Sequence, residues 1–158
     1  MAKEIERKFR VLSDKYKENL NGVYCKQGYI STDLKRIVRV RINDQKAYIT
    51  VKGELRGSTR AEYEYPIPVN DAEEMLEMLC KKPLIEKIRY KIDYKGFLWE
   101  VDEFYGENEG LIIAEIELDE EGTDFPKPEW LGKEVTDDMR YYNSNLIKSP
   151  YKDWKYSI

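Results

Sequence analysis

The residues best suited to chemistry are charged side chains that alternate with apolar ones along short segments. At the N-terminus, Glu4, Glu6 and Lys8 alternate with residues that include Ile5 and Phe9. Because successive side chains of a β-strand point to opposite faces, the two glutamates and the lysine share one face of a predicted strand. Two neighbouring carboxylates repel each other unless a cation lies between them. Solvent cations, a lysine from another strand and a bound metal ion would each meet that requirement.

Further segments along the chain show the same alternation, and their charges are sorted by sign. The exposed face of an ordinary antiparallel sheet is also polar, so any single segment fits a solvated face. A solvated face usually mixes Thr, Ser, Gln and Lys, whereas here whole faces are acidic or basic. The charged faces contain the carboxylates Glu4, Glu6, Glu62, Glu64, Glu100, Asp102, Glu115 and Glu117, and the cations Lys8, Arg39, Arg41, Lys52, Arg60, Lys87, Arg89 and Lys91.

Eight strands are needed to position these side chains. We predict them at residues 1–10, 23–30, 37–42, 47–52, 60–67, 84–94, 97–104 and 111–118. Helices are predicted at 13–20, 71–81 and 136–146, and residues 125–130 are predicted to be irregular. Asn70 and Glu73 fit a capping box for the second helix, which Pro83 would end.

The pattern predicts an α+β fold in one domain, residues 1–158. An eight-stranded antiparallel sheet can close into a barrel and so remove its edges. We expect such a closed β-barrel, flanked by a few helices, with the charged faces lining its lumen. The alternate apolar faces, with residues such as Val40, Val51 and Trp99, would then form the core against the helices at 71–81 and 136–146.

Charged faces that point inward are costly, because buried charges must be paired, hydrogen-bonded or metal-bound. The arrangement is understandable if the interior binds a highly charged ligand. Paired carboxylates bind Mg²⁺ or Mn²⁺ through hard oxygen atoms. Rows of Arg and Lys bind phosphates. Together the two kinds of face predict a polyphosphate bridged to a metal ion.

The composition excludes several kinds of chemistry and partner. The 158-residue chain has no histidine, which removes Ser-His-Asp triads, Cys-His pairs and His-ligated zinc. A net charge of −4 gives no reason to expect nucleic-acid binding. No apolar run is long enough to span a membrane, and residues 1–30 show no export signal. We therefore expect a cytoplasmic protein in which Cys25 and Cys80 are reduced thiols; a homodimer is compatible with the sequence.

Residues 4–8, Glu-Ile-Glu-Arg-Lys, match the ExExK signature of the CYTH domain, or triphosphate tunnel metalloenzyme, family. Seven later blocks resemble the family in the same order: Gln27-Gly28-Tyr29, Val38-Arg39-Val40-Arg41, Thr50-Val51-Lys52-Gly53, Arg60-Ala61-Glu62-Tyr63-Glu64, Glu86-Lys87-Ile88-Arg89, Trp99-Glu100-Val101-Asp102 and Ala114-Glu115-Ile116-Glu117. The resemblance implies an eight-stranded antiparallel tunnel that binds a triphosphate and a divalent metal.

The resemblance also implies roles for individual residues. The phosphate-binding positions are matched by Lys8, Arg39, Arg41, Lys52, Arg60, Lys87 and Arg89. Glu4, Glu6 and Glu117 match the ligands of a first metal, and Glu62, Glu64, Asp102 and Glu115 lie where a second metal, or the water it orients, would be placed. Tyr29 matches a tyrosine implicated in catalysis, and we assign Lys52 and Arg60 to the catalytic set with it. Lys91 and Glu100 match no family role, and Tyr141 and Tyr142 are expected to pack or close one end of the barrel.

We expect one or two Mg²⁺ or Mn²⁺ ions and hydrolysis of inorganic tripolyphosphate to pyrophosphate and phosphate. Hydrolysis of a nucleoside or thiamine triphosphate is the main alternative. The adenylyl cyclases of the family carry histidine-containing segments, and this chain has no histidine. A non-catalytic polyphosphate-binding module and a plain sheet domain with solvated charges stay open. The expected partner is a small anion, with neither nucleic acid nor membrane.

Overall fold

A computed structural model describes residues 3–157. Within that range the chain forms nine β-strands, two α-helices and several short 3₁₀ turns. The strands are β1 (Lys3–Val11), β2 (Val23–Asp33), β3 (Arg36–Asn43), β4 (Lys46–Gly53), β5 (Thr59–Ile67), β6 (Ile85–Tyr94), β7 (Phe97–Phe104), β8 (Ile112–Glu117) and β9 (Leu131–Glu134). The helices are α1 (Val69–Met78) and α2 (Asn143–Leu146), and the 3₁₀ turns are Lys15–Lys17, Gly106–Asn108, Met139–Tyr141, Tyr151–Asp153 and Lys155–Ser157.

The strands form one antiparallel sheet that bends into a ring. Their order is β5-β4-β3-β2-β6-β7-β8-β1-β9, and a further pairing between β1 and β5 joins the two sides of the sheet. That closing contact is short, from Lys3 opposite Ala61 to Ile5 opposite Thr59. The predicted eight-stranded antiparallel ring is confirmed, including the adjacency of its first and last strands.

A ninth strand lies between the predicted irregular segment and the predicted C-terminal helix, where no element was predicted. β9 pairs with the second half of β1, placing Phe9 opposite Glu134 and Val11 opposite Leu131. The first half of β1 is already paired with β5 on that edge, so β9 occupies the edge that β5 leaves free. Residues 125–130 are irregular as predicted, but β9 was not predicted, because four residues without clear alternation carry too little signal to identify a strand.

The outer faces of the ring are apolar and are covered in two places. Phe9, Trp99, Val101 and Ile116 are almost fully buried against the loop that contains Trp130. On the opposite side, α1 buries Ala72 and Leu76 against Val40 and Ala47. Fully burying one such large side chain contributes about 1.5–3 kcal/mol, so these two clusters stabilise the ring from outside. Val51, predicted to be a core residue, is 38% exposed because neither cluster reaches it.

One end of the ring is filled from inside by the C-terminal segment. Inward-facing Ile37, Ile85 and Ile113 pack against Tyr141 and Leu146 in a single buried cluster. The segment predicted as a helix at 136–146 therefore does not cover an outer face. It blocks the ring, as was expected for Tyr141, and makes the interior a pocket with one closed end.

The three predicted helices differ from the observed ones. At 13–20 only the 3₁₀ turn Lys15–Lys17 forms, because Tyr16 is its sole buried residue and an isolated helix of that length is marginal. The capping box at 70–73 is not used: α1 begins at Val69, after Pro68, without a side-chain cap, and ends at Met78.

The C-terminal helix is interrupted within the predicted range 136–146. Tyr142 takes an extended conformation, with φ −73° and ψ 130°, between the 3₁₀ turn and α2. That kink turns its ring toward Lys8 and Arg60, whose charged groups lie 5.5 and 5.9 Å from the ring centroid. No helix in residues 3–157 has the length and apolar character needed to cross a lipid bilayer.

Candidate active site

The inward faces of the strands enclose a polar cavity of about 260 Å³. Its lining comprises Glu4, Glu6, Lys8, Tyr29, Ile37, Arg39, Arg41, Lys52, Arg60, Glu62, Glu64, Lys87, Arg89, Lys91, Glu100, Glu115, Glu117, Tyr142, Asn143 and Ser144. Fifteen residues carry a predicted site role, and every one of them except Asp102 belongs to this lining. The inverted charge pattern therefore brings the predicted site residues together at one place.

The two arginines of β3 have too few carboxylates around them. Arg39 and Arg41 are each 9% exposed, and they share one oxygen of Glu64, Oε1, at 3.6 and 3.4 Å. Among the described residues, the buried Nε atoms of both arginines have no hydrogen-bond acceptor. Burial, with Arg39 and Arg89 nearby, lowers the pKa of Arg41 to about 10. An anion with several oxygen atoms would satisfy these donors and this excess of positive charge.

A second cationic group lies next to the closed end of the cavity. Lys8 Nζ is 3.1 Å from carboxylate oxygens of both Glu6 and Glu115. Burial alone would lower the pKa of Lys8, but Glu115 and Glu6 raise it well above its usual value. Arg60 lies over the ring of Tyr142, and its buried Nε has no acceptor among residues 3–157. Arg60 therefore offers a further donor to an anion.

The acidic end of the cavity is formed by the two strands that meet in the ring. In the register of β1 and β8, Glu6 lies opposite Glu117. Burial, followed by the nearby carboxylates of Glu4 and Glu6, raises the pKa of Glu117. Glu4 is held by Lys52, whose Nζ lies 2.8 Å from Glu4 Oε2. Glu117 has no cationic partner within 4.0 Å among the described residues, so negative charge is in excess at this point.

Asp102 lies behind the lining and is 1% exposed. It accepts hydrogen bonds from Arg89 Nε at 2.7 Å and Nη2 at 2.8 Å, and its Oδ2 is 2.8 Å from Lys87 Nζ. Burial would raise its pKa, but the two cations hold the pKa of Asp102 well below its usual range. With both oxygens engaged in this way, Asp102 fixes the positions of Lys87 and Arg89, which line the cavity.

Two polar residues at the site had no predicted role. Asn143 Oδ1 accepts hydrogen bonds from Lys87 Nζ and from Gln27 Nε2, both at 3.1 Å. Gln27 Nε2 also donates to the Tyr29 hydroxyl at 3.2 Å. The sequence could have indicated Gln27, since it lies on the same strand face as Tyr29. Nothing in the sequence indicated Asn143, because its place depends on how the C-terminal segment packs.

Residues 2–150 match the model of the CYTH domain family. The chain belongs to the CYTH domain family. An inorganic triphosphatase of Acetivibrio thermocellus is 59% identical over 155 residues, which is 98% of this chain and 99% of that protein. An inorganic triphosphatase of Nitrosomonas europaea is 39% identical over 150 residues, which is 92% of this chain and 97% of that protein.

The fold agrees with solved structures of CYTH proteins. The crystal structure of the inorganic triphosphatase NE1496 superposes with a TM-score of 0.66 at 37% identity, covering 92% of this chain and 97% of the other. The fold is therefore shared over nearly the whole chain.

Membership of the CYTH family implies a divalent metal ion, and the acidic end of the cavity fits one chemically. Glu4, Glu6 and Glu117 supply hard carboxylate oxygens, the ligand type that Mg²⁺ and Mn²⁺ prefer. The excess negative charge at Glu117 gives a cation an electrostatic reason to bind there. In residues 3–157 no three acidic or thiol side chains already converge as a metal site does. To hold an ion together, the three carboxylates would therefore have to approach one another more closely.

Proposed function

We propose that this CYTH protein hydrolyses inorganic tripolyphosphate to pyrophosphate and phosphate with the help of Mg²⁺ or Mn²⁺. The observation that carries the proposal is the arginine cluster: Arg39 and Arg41 line the cavity, are buried, share one carboxylate oxygen and have Nε donors without an acceptor among residues 3–157. The relatives described above are inorganic triphosphatases over nearly the full length of this chain.

The lining favours an inorganic chain of phosphates over a nucleotide. Its aromatic members are Tyr29 and Tyr142, both at most 8% exposed and both at or near the closed end. A nucleobase needs an accessible apolar or aromatic surface for stacking, and the charged walls offer none. A phosphate chain needs charge-assisted hydrogen bonds along its length, which the cationic rows provide. Tripolyphosphate is therefore preferred to a nucleoside or thiamine triphosphate.

Each group of residues has a proposed part in the reaction. The cations Lys8, Arg39, Arg41, Lys52, Arg60, Lys87 and Arg89 bind the phosphates and stabilise the charge of the transition state, which is the main task in phosphoryl transfer. A divalent ion held by Glu4, Glu6 and Glu117 would neutralise further phosphate charge. Glu62, Glu64 and Glu115 are proposed to orient the attacking water and accept its proton, or to hold a second ion.

One predicted assignment changes in this proposal, that of Asp102, whereas the catalytic assignment of Tyr29 is kept. We place Asp102 behind the phosphate-binding cations as their counter-ion instead of among the metal ligands, because its oxygens are engaged by Lys87 and Arg89. Tyr29 faces the cavity next to Lys87 and acts on the substrate from the closed end.

The direct test is phosphate release from tripolyphosphate with Mg²⁺, with Mn²⁺ and with EDTA, beside ATP and thiamine triphosphate. We expect release from tripolyphosphate that requires the metal and exceeds release from the other two. Arg41→Gln should reduce release by about 10²-fold or more, as for loss of one transition-state donor. Lys35→Gln, on the exposed turn between β2 and β3, is the matched control. Absence of release with either metal would contradict hydrolysis, and a higher rate with ATP or thiamine triphosphate would reassign the substrate.

A further inference from the structure

The closed end of the cavity has two layers of polar side chains. Tyr29, Lys87 and Asn143 line the cavity, whereas Gln27 and Asp102 lie behind them and do not. Gln27 is completely buried, and Asp102 is nearly so. Hydrogen bonds connect the two layers from Asp102 through Lys87, Asn143 and Gln27 to Tyr29. A buried network of this kind holds its members in fixed positions when their hydrogen bonds are satisfied.

The donors and acceptors in this network can be assigned from chemistry. A lysine ammonium group only donates, so the Asn143 atom that faces Lys87 must be the carbonyl oxygen. The same oxygen faces Gln27, which must therefore present its amide nitrogen, Nε2. Since Nε2 also contacts the Tyr29 hydroxyl, the Tyr29 oxygen acts as an acceptor there. The Tyr29 proton is left for another partner.

That partner is not Gln27. The remaining amide oxygen of Gln27, Oε1, is buried and has no hydrogen-bond partner among residues 3–157. An unsatisfied buried acceptor costs about 1–3 kcal/mol, so an arrangement that keeps one has to be held in place by the rest of the network. The Tyr29 side chain lines the cavity, so its free proton is available on the side where a phosphate oxygen would lie.

We propose that Gln27 and Asn143 are positioning residues that make the Tyr29 hydroxyl a hydrogen-bond donor to the substrate. This inference rests on the proposed phosphohydrolase function, because the acceptor is a phosphate oxygen. Neither the Gln27 amide nor the carbonyl of Asn143 touches the substrate; both act through Tyr29 and Lys87.

Gln27→Glu tests the direction of the network. A carboxylate accepts hydrogen bonds only, so Glu at this position would accept the Tyr29 proton and take it from the substrate. We expect kcat for tripolyphosphate to fall about tenfold, the equivalent of about 1.4 kcal/mol for one hydrogen bond, with little change in KM. Gln27→Met keeps the shape of the side chain, removes both hydrogen bonds and should lower kcat in the same direction.

A double-mutant cycle separates positioning from a general structural effect. If Gln27 acts through Tyr29, then Gln27→Glu should reduce kcat less than about twofold once Tyr29→Phe is present. Independent, multiplying effects of the two substitutions would overturn the proposal. The same cycle measured on the Kd of tripolyphosphate gives an answer even if the protein binds the compound without hydrolysing it. Failure of the proposed function would appear differently, as absence of phosphate release by the unsubstituted protein.

Asn143 is tested by a conservative pair. Asn143→Asp keeps an acceptor for Lys87 and Gln27 but adds a negative charge beside the phosphates, so KM should rise more than kcat falls. Asn143→Leu removes the acceptor, and kcat should fall. Thr32→Val is the structural control, since Thr32 is a buried polar residue on the same strand as Gln27, bonded to Lys81 and outside the cavity. It should lower the melting temperature without lowering kcat. Equal effects of Asp and Leu on kcat at position 143 would contradict the assigned role.

Discussion

At the scale of single residues, Asp102 and Glu117 show opposite uses of a carboxylate. Asp102 contacts two cations and is buried, so its charge is compensated within the protein. Glu117 lies near Glu4 and Glu6 without a cation of its own. The first carboxylate stabilises the folded chain, whereas the second destabilises it until a ligand arrives. Replacing each carboxylate by its neutral amide should therefore change the stability of the protein in opposite directions.

Asp102→Asn should destabilise the protein by about 3–5 kcal/mol, because it leaves Lys87 and Arg89 buried without their counter-ion. The loss should depend on pH. The pKa of Asp102 is lowered in the folded state, to about 2, so its contribution to stability is present in full above the unfolded value of about 4 and is lost as the pH falls toward 2. Urea unfolding of the unsubstituted protein and of Asp102→Asn, at pH 7 and at pH 3, measures the difference in their unfolding free energies. A difference that does not shrink at pH 3 would contradict the assignment.

Glu117→Gln should act in the opposite direction in the absence of ligands. It removes repulsion with Glu4 and Glu6, so the melting temperature in EDTA should be unchanged or higher. The rise in melting temperature on addition of Mg²⁺ or Mn²⁺ should become smaller than in the unsubstituted protein. Calorimetry in EDTA and in each metal checks both parts. Glu129→Gln, an exposed site away from the cavity, is the control. A lower melting temperature in EDTA would show that Glu117 is compensated after all.

At the scale of elements, α2 has a double task although it is only four residues long. Its Leu146 is fully buried in the cluster that fills the end of the ring, while its Asn143 lines the cavity. Packing at one end of this helix therefore fixes a polar side chain at the other. Helix α1 only packs against the ring: it covers the outer face of β3 and β4 and contributes no residue to the cavity lining.

Leu146→Ala and Leu76→Ala form a matched pair that separates these tasks. Both leucines are at most 3% exposed, so each substitution should cost about 2–5 kcal/mol of unfolding free energy. Leu146→Ala should also lower kcat, since α2 then holds Asn143 less firmly. Leu76→Ala should leave kcat unchanged when activity is measured well below its melting temperature. Urea titrations and initial rates measure both effects on the two variants. Equal kcat values would show that α2 only fills the closed end of the ring and does not position Asn143.

Much of the ring could be predicted from the sequence because its strands alternate with a period of two and sort their charges by sign. A register error of one residue would turn Arg39 or Glu115 outward, so the pattern also predicted which side chains meet. β9 and the kink at Tyr142 escaped prediction because contacts with β1, distant in sequence, determine both. Asn143 escaped for the same reason, and alternation placed Asp102 on the charged face without giving the depth at which its side chain lies.

At the scale of the whole molecule, the ring encloses more charge than its own ion pairs neutralise locally. Cations dominate at Arg39 and Arg41 and carboxylates at Glu117, so the excess charges are separated along the cavity. Such an interior lowers stability in the free protein and favours a ligand that carries both signs. A phosphate chain with a divalent ion at one end has that distribution, with its anionic part at the arginines and its cation at the glutamates.

The combined ligand should therefore stabilise the protein more than the sum of its parts. Ligands that bind only the folded state raise the unfolding free energy by about 2.7 kcal/mol at a hundredfold excess over Kd. We expect a rise in melting temperature with tripolyphosphate plus Mg²⁺ that exceeds the sum of the rises with tripolyphosphate in EDTA and with Mg²⁺ alone. A slowly hydrolysed analogue such as the imido form of tripolyphosphate keeps the ligand intact during the scan.

Two variants separate the anion site from the metal site. In Arg41→Gln the rise in melting temperature with tripolyphosphate should become smaller, while the rise with Mg²⁺ is kept. In Glu117→Gln the rise with Mg²⁺ should become smaller, while the rise with tripolyphosphate is kept. Strictly additive rises in the unsubstituted protein would show that anion and metal bind at uncoupled places, and the single bridged ligand would have to be abandoned.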